Sequence, residues 1–497
     1  MTVTAPVAPA HPDDARLSAM EEGLLPPRSD ITYLPHQVKG VTWMLSREKV
    51  SPAGGVLADD MGLGKTFQTI GLIKNSPHDW RTLIICPPVL LSAWADELRA
   101  CGITVAVLSG VRFPTGASAS VYLTTYNKAC MYSRGLSDIA QRVILDEGHV
   151  IRNGKTARAR HCMTIAASAK SRWILSATPV QNGPSDWKHL CEWLQMKPDV
   201  KPDTVMLRRT MTELRGTVPL PPPPTFIEHN MSMTGSEEAA LFRTLANNLE
   251  NAMEGPAQIR LAMWMRIQQF MIHPQIYIDG QRTRMRGIYK RPDWPVDDFQ
   301  RGTGDHTTTK WTAFSTILLD SIKTATPTIV FCNFRAEMDR VTAAATAAGA
   351  AVFAVRGGGG PDAAGDAVKG SKQAHADGKP VVIVIQIVSG GAGLNLQFCT
   401  RILFLTQHWN PAVVHQAVGR AVRIGQKATV EIHIFRIVDE VMDNIDLRML
   451  DLHRTKVGVA RDVCESLYEG FHESVLPPIE KVEPAKSTPP ASPATKT

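Results

Sequence analysis

Apolar, β-branched runs of strand length recur through this chain in two blocks. VLADD, TLIICP, VYLTTY, RVILDE and RWILSAT fall between residues 56 and 178, and TIVFCNF, VVIVIQIV and RILFLTQ between 328 and 407. Helical stretches separate the runs, so each strand reaches its neighbour by a crossover, and the pattern reads as α/β with two parallel sheets covered by helices. A chain of 497 residues has room for two lobes and an insertion, because a single core rarely grows beyond about 250–300 residues.

The pattern breaks between about 205 and 310, where VPLPPPPTF (218–226) interrupts it, a Met- and Gln-rich helical stretch follows, and GQRTRMRGIYKRPDW (280–294) is irregular. The expected division is a disordered tail over 1–29, a first lobe over 30–205, a mainly helical insertion over 206–310, a second lobe over 311–465 and a disordered tail over 466–497. Both tails are rich in Pro and small polar residues that cannot bury a core.

LADDMGLGKT (57–66) places a strand, a glycine turn and a helix start in sequence. Backbone N–H groups and a helix N-terminus then surround a phosphate chain. The loop residues Asp59, Asp60, Met61, Gly62, Leu63 and Gly64 would wrap the phosphates, Lys65 would contact the β and γ groups of ATP, and Thr66 would hold Mg2+. Asp59 stands where the G-x-x-x-x-G-K-[ST] pattern has its first glycine. RVILDEGH (142–149) ends a strand in two carboxylates: Asp146 can hold Mg2+, and Glu147 can orient or deprotonate the attacking water. An isolated acidic pair is usually a plain turn, and its position on another strand of the same block gives it the functional reading. In SATPVQN (176–182) the Ser176 and Thr178 hydroxyls are placed to link the nucleotide site to the other lobe.

The second block carries QAVGRAVRIGQ (416–426), with Gln416, Arg420 and Arg423 at helical spacing on one face. Two arginines three apart usually mean surface charge, but they also suit a pair that reaches the γ phosphate across a cleft. SGGAGLNLQ (389–397) is a glycine-rich loop whose freed amides, beginning at Ser389, can bind a phosphate of ATP or DNA. So wide a separation of the two halves implies two lobes closing on one nucleotide.

Lys plus Arg exceed Asp plus Glu, 54 to 47, a net +7 that suits a polyanion without requiring one. The cysteines at 86, 101, 130, 162, 191, 332, 399 and 464 stand singly, which argues against structural zinc and against a disulfide framework. No apolar run is long enough to span a bilayer, so no membrane partner is expected.

LPHQVKGVTWML, LADDMGLGKT, LIICPPVLLSAW, LTTY, DEGH with IRN after it, and SATPVQN resemble, in order, the first-lobe motifs of the SWI/SNF-type ATPases of helicase superfamily two. VMLRRTMTEL and HPQIY resemble that family's inter-lobe segment, and residues 401–426 its most diagnostic stretch. Gly148 stands where the family more often has Ala, and SATP where it more often has a GTP tripeptide. The resemblance implies two RecA-like lobes and movement on double-stranded DNA without strand separation, acting on nucleosomes or other DNA-bound proteins in remodelling or repair. It implies that Gln37 reads the adenine, and that Trp94, Thr124 and Thr125 lie in segments tracking one DNA strand. Trp409 lies against the minor groove by the same resemblance, or is an ordinary half-buried tryptophan. A nuclear location follows if the source is eukaryotic, and the chain could be a subunit of a larger complex. Some relatives carry a RING module, which the absence of Cys pairs excludes here. An unwinding helicase and a non-hydrolysing nucleotide-binding scaffold are the competing classes.

Overall fold

The computed structural model describes residues 23–108, 119–233, 238–240, 242–243, 257–277, 308–357, 361–388, 394–438 and 445–463. In the first lobe β1 (Ala53–Leu57), β2 (Thr82–Cys86), β3 (Val105–Val107), β4 (Val121–Thr125), β5 (Arg142–Asp146), β6 (Ser171–Leu175) and β7 (Met206–Leu207) form one sheet in the order β3-β4-β2-β5-β6-β1-β7. In the second, β8 (Thr225–Met231), β9 (Thr328–Cys332), β10 (Ala351–Val355), β11 (Val381–Gln386), β12 (Arg401–Phe404) and β13 (Glu431–Ile437) form another, ordered β10-β11-β9-β12-β13-β8. All the pairings are parallel. These are the two helix-covered parallel sheets expected from the alternation.

β2, β4 and β6 are buried at every position, because helices cover both faces, and so they read as continuous apolar runs. The same topology brings β1 and β5 to either side of β6, so the loops after Leu57 and Asp146 emerge at one end of the sheet.

The boundary expected at 205 and the wholly inter-lobe reading of 206–310 need correction. Met206 and Leu207 pair with Val56 and Leu57, so the first sheet runs past 205. Thr225–Met231, expected inside a helical insertion, pairs with Glu431–Ile437 and is the edge strand of the second sheet. An edge strand is mostly half-buried, as this one is, and so it lacks the apolar signature of a central strand. The Met- and Gln-rich stretch does form a helix, Ala257–Ile272. The first tail also ends earlier than residue 29: Leu25 N–H donates to Asn75 Oδ1 (2.6 Å), and Lys74 Nζ donates to the Pro27 carbonyl (3.0 Å). Residues 1–22, the 466–497 tail and the basic run Arg282, Arg284, Arg286, Lys290 and Arg291 lie outside the described residues.

One ion pair ties the base of the first sheet together. Arg142, at the start of β5, donates Nε to Glu48 Oε1 (2.6 Å) and Nη2 to Glu48 Oε2 (2.5 Å), with both side chains essentially unexposed. Ser171 Oγ (2.7 Å) and Trp173 Nε1 (3.1 Å) add donors from β6 to the same carboxylate. Burial alone would push the Glu48 carboxyl up, but Arg142 and these donors hold it below its ordinary value. Glu48→Gln leaves the guanidinium buried without its counter-charge and is expected to lower unfolding free energy by about 3–5 kcal/mol. Urea denaturation checks this, and a loss below about 1 kcal/mol would mean that solvent reaches the pair.

Candidate nucleotide site at the lobe seam

β1 feeds a loop whose Gly62 (φ 82°) and Gly64 (φ 80°) are left-handed, a conformation glycine adopts without strain. Lys65 begins the helix Lys65–Asn75. Its ammonium folds back over the loop, donating to the carbonyls of Asp59 (2.6 Å) and Asp60 (3.2 Å). Burial lowers its pKa, against the pull of Glu147 and the other nearby carboxylates. Lys65, Thr66, Asp146, Glu147, Arg420 and Arg423 all line one cleft of about 270 Å3, shared by the two lobes.

Asp59 and Asp60 do not present their side chains to a phosphate, and the expectation for these two is corrected. Asp59 is fully buried and clasped by Arg209 (Nη2 to Oδ2, 2.5 Å) and by Gln68 Nε2 (2.9 Å). Asp60 accepts from Arg208 Nη2 (3.1 Å) and from the Met211 N–H (3.0 Å). Arg208 also donates to the carbonyls of Ala58 and Ala177, both at 2.9 Å. The two arginines leave β7 and brace the loop from behind, a role unforeseen from the sequence. The adjacent acids of the loop needed counter-charges, and VMLRRT held them. Gln37 braces the loop too, its Oε1 accepting from Leu34 N–H (3.0 Å) and its Nε2 donating to Leu63 O (3.3 Å).

At the end of β5, Asp146 Oδ1 accepts the Glu147 N–H (3.0 Å) and Oδ2 accepts Trp94 Nε1–H (2.7 Å). Glu147 sits at φ 52°, a left-handed conformation for a residue with a Cβ, which costs roughly 1–3 kcal/mol and recurs at functional sites. Burial and the neighbouring Glu147 push the Asp146 carboxyl up to about 6. Burial also pushes Glu147 upward, but His149, Lys65 and Arg420 outweigh it and hold Glu147 low. The pair is thus split into a carboxyl that is hard to ionise and one that is easy. The Thr66 hydroxyl and the Asp146 carboxylate are hard oxygen donors facing one cleft, the donor class that Mg2+ takes.

The second lobe closes the cleft. Gln416 Nε2 reaches Glu147 Oε2 at 3.4 Å. The helix Pro411–Val418 stops short of both arginines, so Arg420 and Arg423 lie on the turns that continue it rather than on its face. A Cβ at Gly62 would stand 2.8 Å from Arg423 Cβ, and one at Gly419 would stand 3.0 Å from Met61 Cβ, so two glycines permit the close approach. Arg420 is 5% exposed, and burial lowers it to about 10 against the pull of Glu147 and Asp146.

A chain of polar contacts also crosses the seam. Glu147 Oε2 lies 3.3 Å from His149 Nδ1, which lies 3.0 Å from Ser176 Oγ. Ser176 Oγ accepts the Thr178 N–H (3.2 Å), Thr178 Oγ1 accepts Gln181 Nε2–H (3.2 Å), and Gln181 Oε1 accepts Asn410 Nδ2–H of the second lobe (2.9 Å). Asn410 caps the helix that carries Gln416, so the path returns to Glu147.

The expected nucleic-acid contacts fare differently. Thr124 is fully buried, with Oγ1 donating to Leu108 O, and Thr125 caps the helix Tyr126–Met131 through Lys128 N–H. Trp94 is 2% exposed. All three side chains turn inward. Trp409 is half-buried against Phe242, Ile267 and Met449, with its ring 4.1 Å from that of His408. Ser389 lies outside the described residues.

A raised Asp146 has a sign that can be checked. Its carboxyl favours the folded state below the ordinary range and loses that contribution as pH rises through about 6. The melting temperature of Asp146→Asn, measured in chelator and relative to unsubstituted protein, is therefore expected to climb between pH 4.5 and 7.5. A flat or falling difference would mean that Asp146 ionises without penalty.

Residues 36–204 match the SNF2-related domain, and residues 309–425 match the helicase conserved C-terminal domain. The chain is 26% identical over 465 residues to the "Probable global transactivator" of Orgyia pseudotsugata multicapsid polyhedrosis virus, covering 82% of this chain and 86% of that protein. It is 24% identical over 460 residues to the ISWI chromatin-remodeling complex ATPase CHR11 of Arabidopsis thaliana, covering 82% of this chain and 40% of that protein. The chain spans between 20% and 48% of the length of the other curated relatives it matches. Comparison with the Sulfolobus solfataricus SWI2/SNF2 ATPase core in complex with dsDNA covers 91% of this chain and 99% of that one, at 21% identity and a TM-score of 0.38. At that score the sequence matches and the sheet topology carry the assignment. With the phosphate loop inside one matched domain and both arginines inside the other, this chain belongs to the SNF2-related family of ATP-dependent, helicase-like enzymes.

Proposed function

We propose that the chain is an ATP-driven translocase on double-stranded DNA, which uses hydrolysis to move or displace proteins bound there, including nucleosomes where DNA carries them. The observation behind this reading is the polar path from Glu147 through His149, Ser176, Thr178 and Gln181 to Asn410. It ties the group that handles the attacking water to the body that must move. The relative that is an ISWI chromatin-remodeling complex ATPase supports protein-bound duplex DNA as the substrate. In a eukaryotic cell that substrate places the work in the nucleus, alone or as one subunit of a complex. Remodelling and repair are both uses of such a motor.

Glu147, held ionised by His149, Lys65 and Arg420, would take the proton of the attacking water. Lys65 would leave the loop carbonyls for the β and γ phosphates of ATP. Arg420 and Arg423 would meet the γ phosphate from the other lobe, so that charge developing in the transition state is neutralised only when the lobes are closed. Mg2+, held by Thr66 and Asp146, would screen the phosphate charge. Gln37 and His36 would keep the loop in shape from behind. Release of phosphate then removes the charge that held the arginines, and reopening would advance one lobe along the DNA backbone.

ATP hydrolysis is expected to rise on adding duplex DNA and to change little with RNA or single-stranded DNA. Arg420→Ala should lower the stimulated kcat by roughly 10^3-fold or more, and Lys65→Ala should abolish it. Stimulation by single strands only, or ATP-dependent displacement of a forked duplex that Lys65→Ala lacks, would point to an unwinding helicase instead. No hydrolysis under any condition would leave a nucleotide-binding scaffold.

A further inference from the structure

Trp94 lies on the helix Leu91–Ala100, which packs against β4 and, from the other lobe, touches the helix Pro361–Ala376. Its ring sits in the core beside Ile84, Cys86, Leu98 and Leu123, yet its indole edge lines the nucleotide cleft. There it makes one polar contact, donating Nε1–H to Asp146 Oδ2 at 2.7 Å. The other carboxylate oxygen is fixed by the Glu147 N–H at 3.0 Å. Tyr126 O–H, also buried, donates to the main-chain carbonyl of Asp146 (2.8 Å) and leaves the carboxylate alone. One rigid donor on each oxygen stops the carboxylate from rotating and leaves each oxygen a second lone pair.

The geometry points to Trp94 as a positioning residue for the divalent cation of the nucleotide site: its indole N–H sets the orientation in which Asp146 meets the ion. A neutral donor does this without the repulsion that a lysine or arginine would exert on a cation. Because Mg2+ demands near-ideal octahedral geometry and Ca2+ tolerates many, a fixed carboxylate favours the smaller ion, and a loose one relaxes that preference. The inference rests on the reading of Thr66 and Asp146 as the Mg2+ ligands.

Trp94→Phe keeps an aromatic ring in the core and removes the N–H together with part of the indole's bulk. Binding of a fluorescent ADP to the full chain is measured in Mg2+, in Ca2+ and in EDTA. Deleting a partner that orients a metal ligand costs roughly 10–100-fold in metal affinity. Accordingly, the gain in ADP affinity that Mg2+ confers should fall at least tenfold in Trp94→Phe, the gain from Ca2+ should fall less, and the EDTA value should stay within twofold. Tyr126→Phe removes an equally buried hydrogen bond and should leave all three values unchanged. A uniform loss in all three conditions, or the same loss in Tyr126→Phe, would make Trp94 a packing residue and overturn the inference, as would no change at all. Should Mg2+ confer no gain on the unsubstituted protein, the ligand reading itself fails, which that control shows separately from any effect of the substitution.

Discussion

Two carboxylates half-buried side by side at the end of β5 are the constraint around which the two lobes are arranged. Asp146 and Glu147 repel each other in a poorly solvated cleft, and the first lobe offers them Lys65, His149 and the Trp94 N–H. The remaining compensation, Gln416 and Arg420, comes from the second lobe. Withdrawing either partner from such a set of charges is unfavourable, so these contacts hold the two lobes together at the site. Gly62 and Gly419 are small because the backbones of the phosphate loop and the arginine turn meet there.

The inter-lobe segment does more than connect. It leaves β1's neighbour β7, sends Arg208 and Arg209 back to the acids of the phosphate loop, and then supplies β8 to the other sheet. A segment bonded to both sheets within a few dozen residues limits how far the lobes can separate without disturbing the loop between Leu57 and Lys65. The loop is consequently supported by Gln37 and His36 as well as by the two arginines.

Central strands were legible in the sequence because burial on both faces leaves no alternation to obscure them, as in β2 and β6. β8 was not, since an edge strand with half-buried faces looks like any polar stretch. Lys65, Thr66, Asp146 and Glu147 were read from local chemistry and Arg420 and Arg423 from the family resemblance of their stretch, and the fold brings all six into one cleft. Asp59 was misread because its ion-pair partner, Arg209, lies 150 residues away, a distance at which sequence proximity carries no information. Thr124, Thr125 and Trp94 were expected in segments that track DNA, and a strand's end and a helix's apolar side turn their side chains into the core. The same burial gives Trp94 its contact with Asp146, which depends on the helix Leu91–Ala100 packing on the sheet that carries Asp146.

The central claim is that the hydrolytic group and the second lobe are coupled through the contact of Gln181 with Asn410, whose side chains meet at 2.9 Å across the seam. A double-mutant cycle on duplex-stimulated kcat tests it directly, because residues that act only through one another are non-additive. Gln181→Ala, Asn410→Ala and the double substitution are predicted to lower kcat by the same factor. Losses that multiply in the double substitution would show that the two residues act independently and would contradict the coupled path.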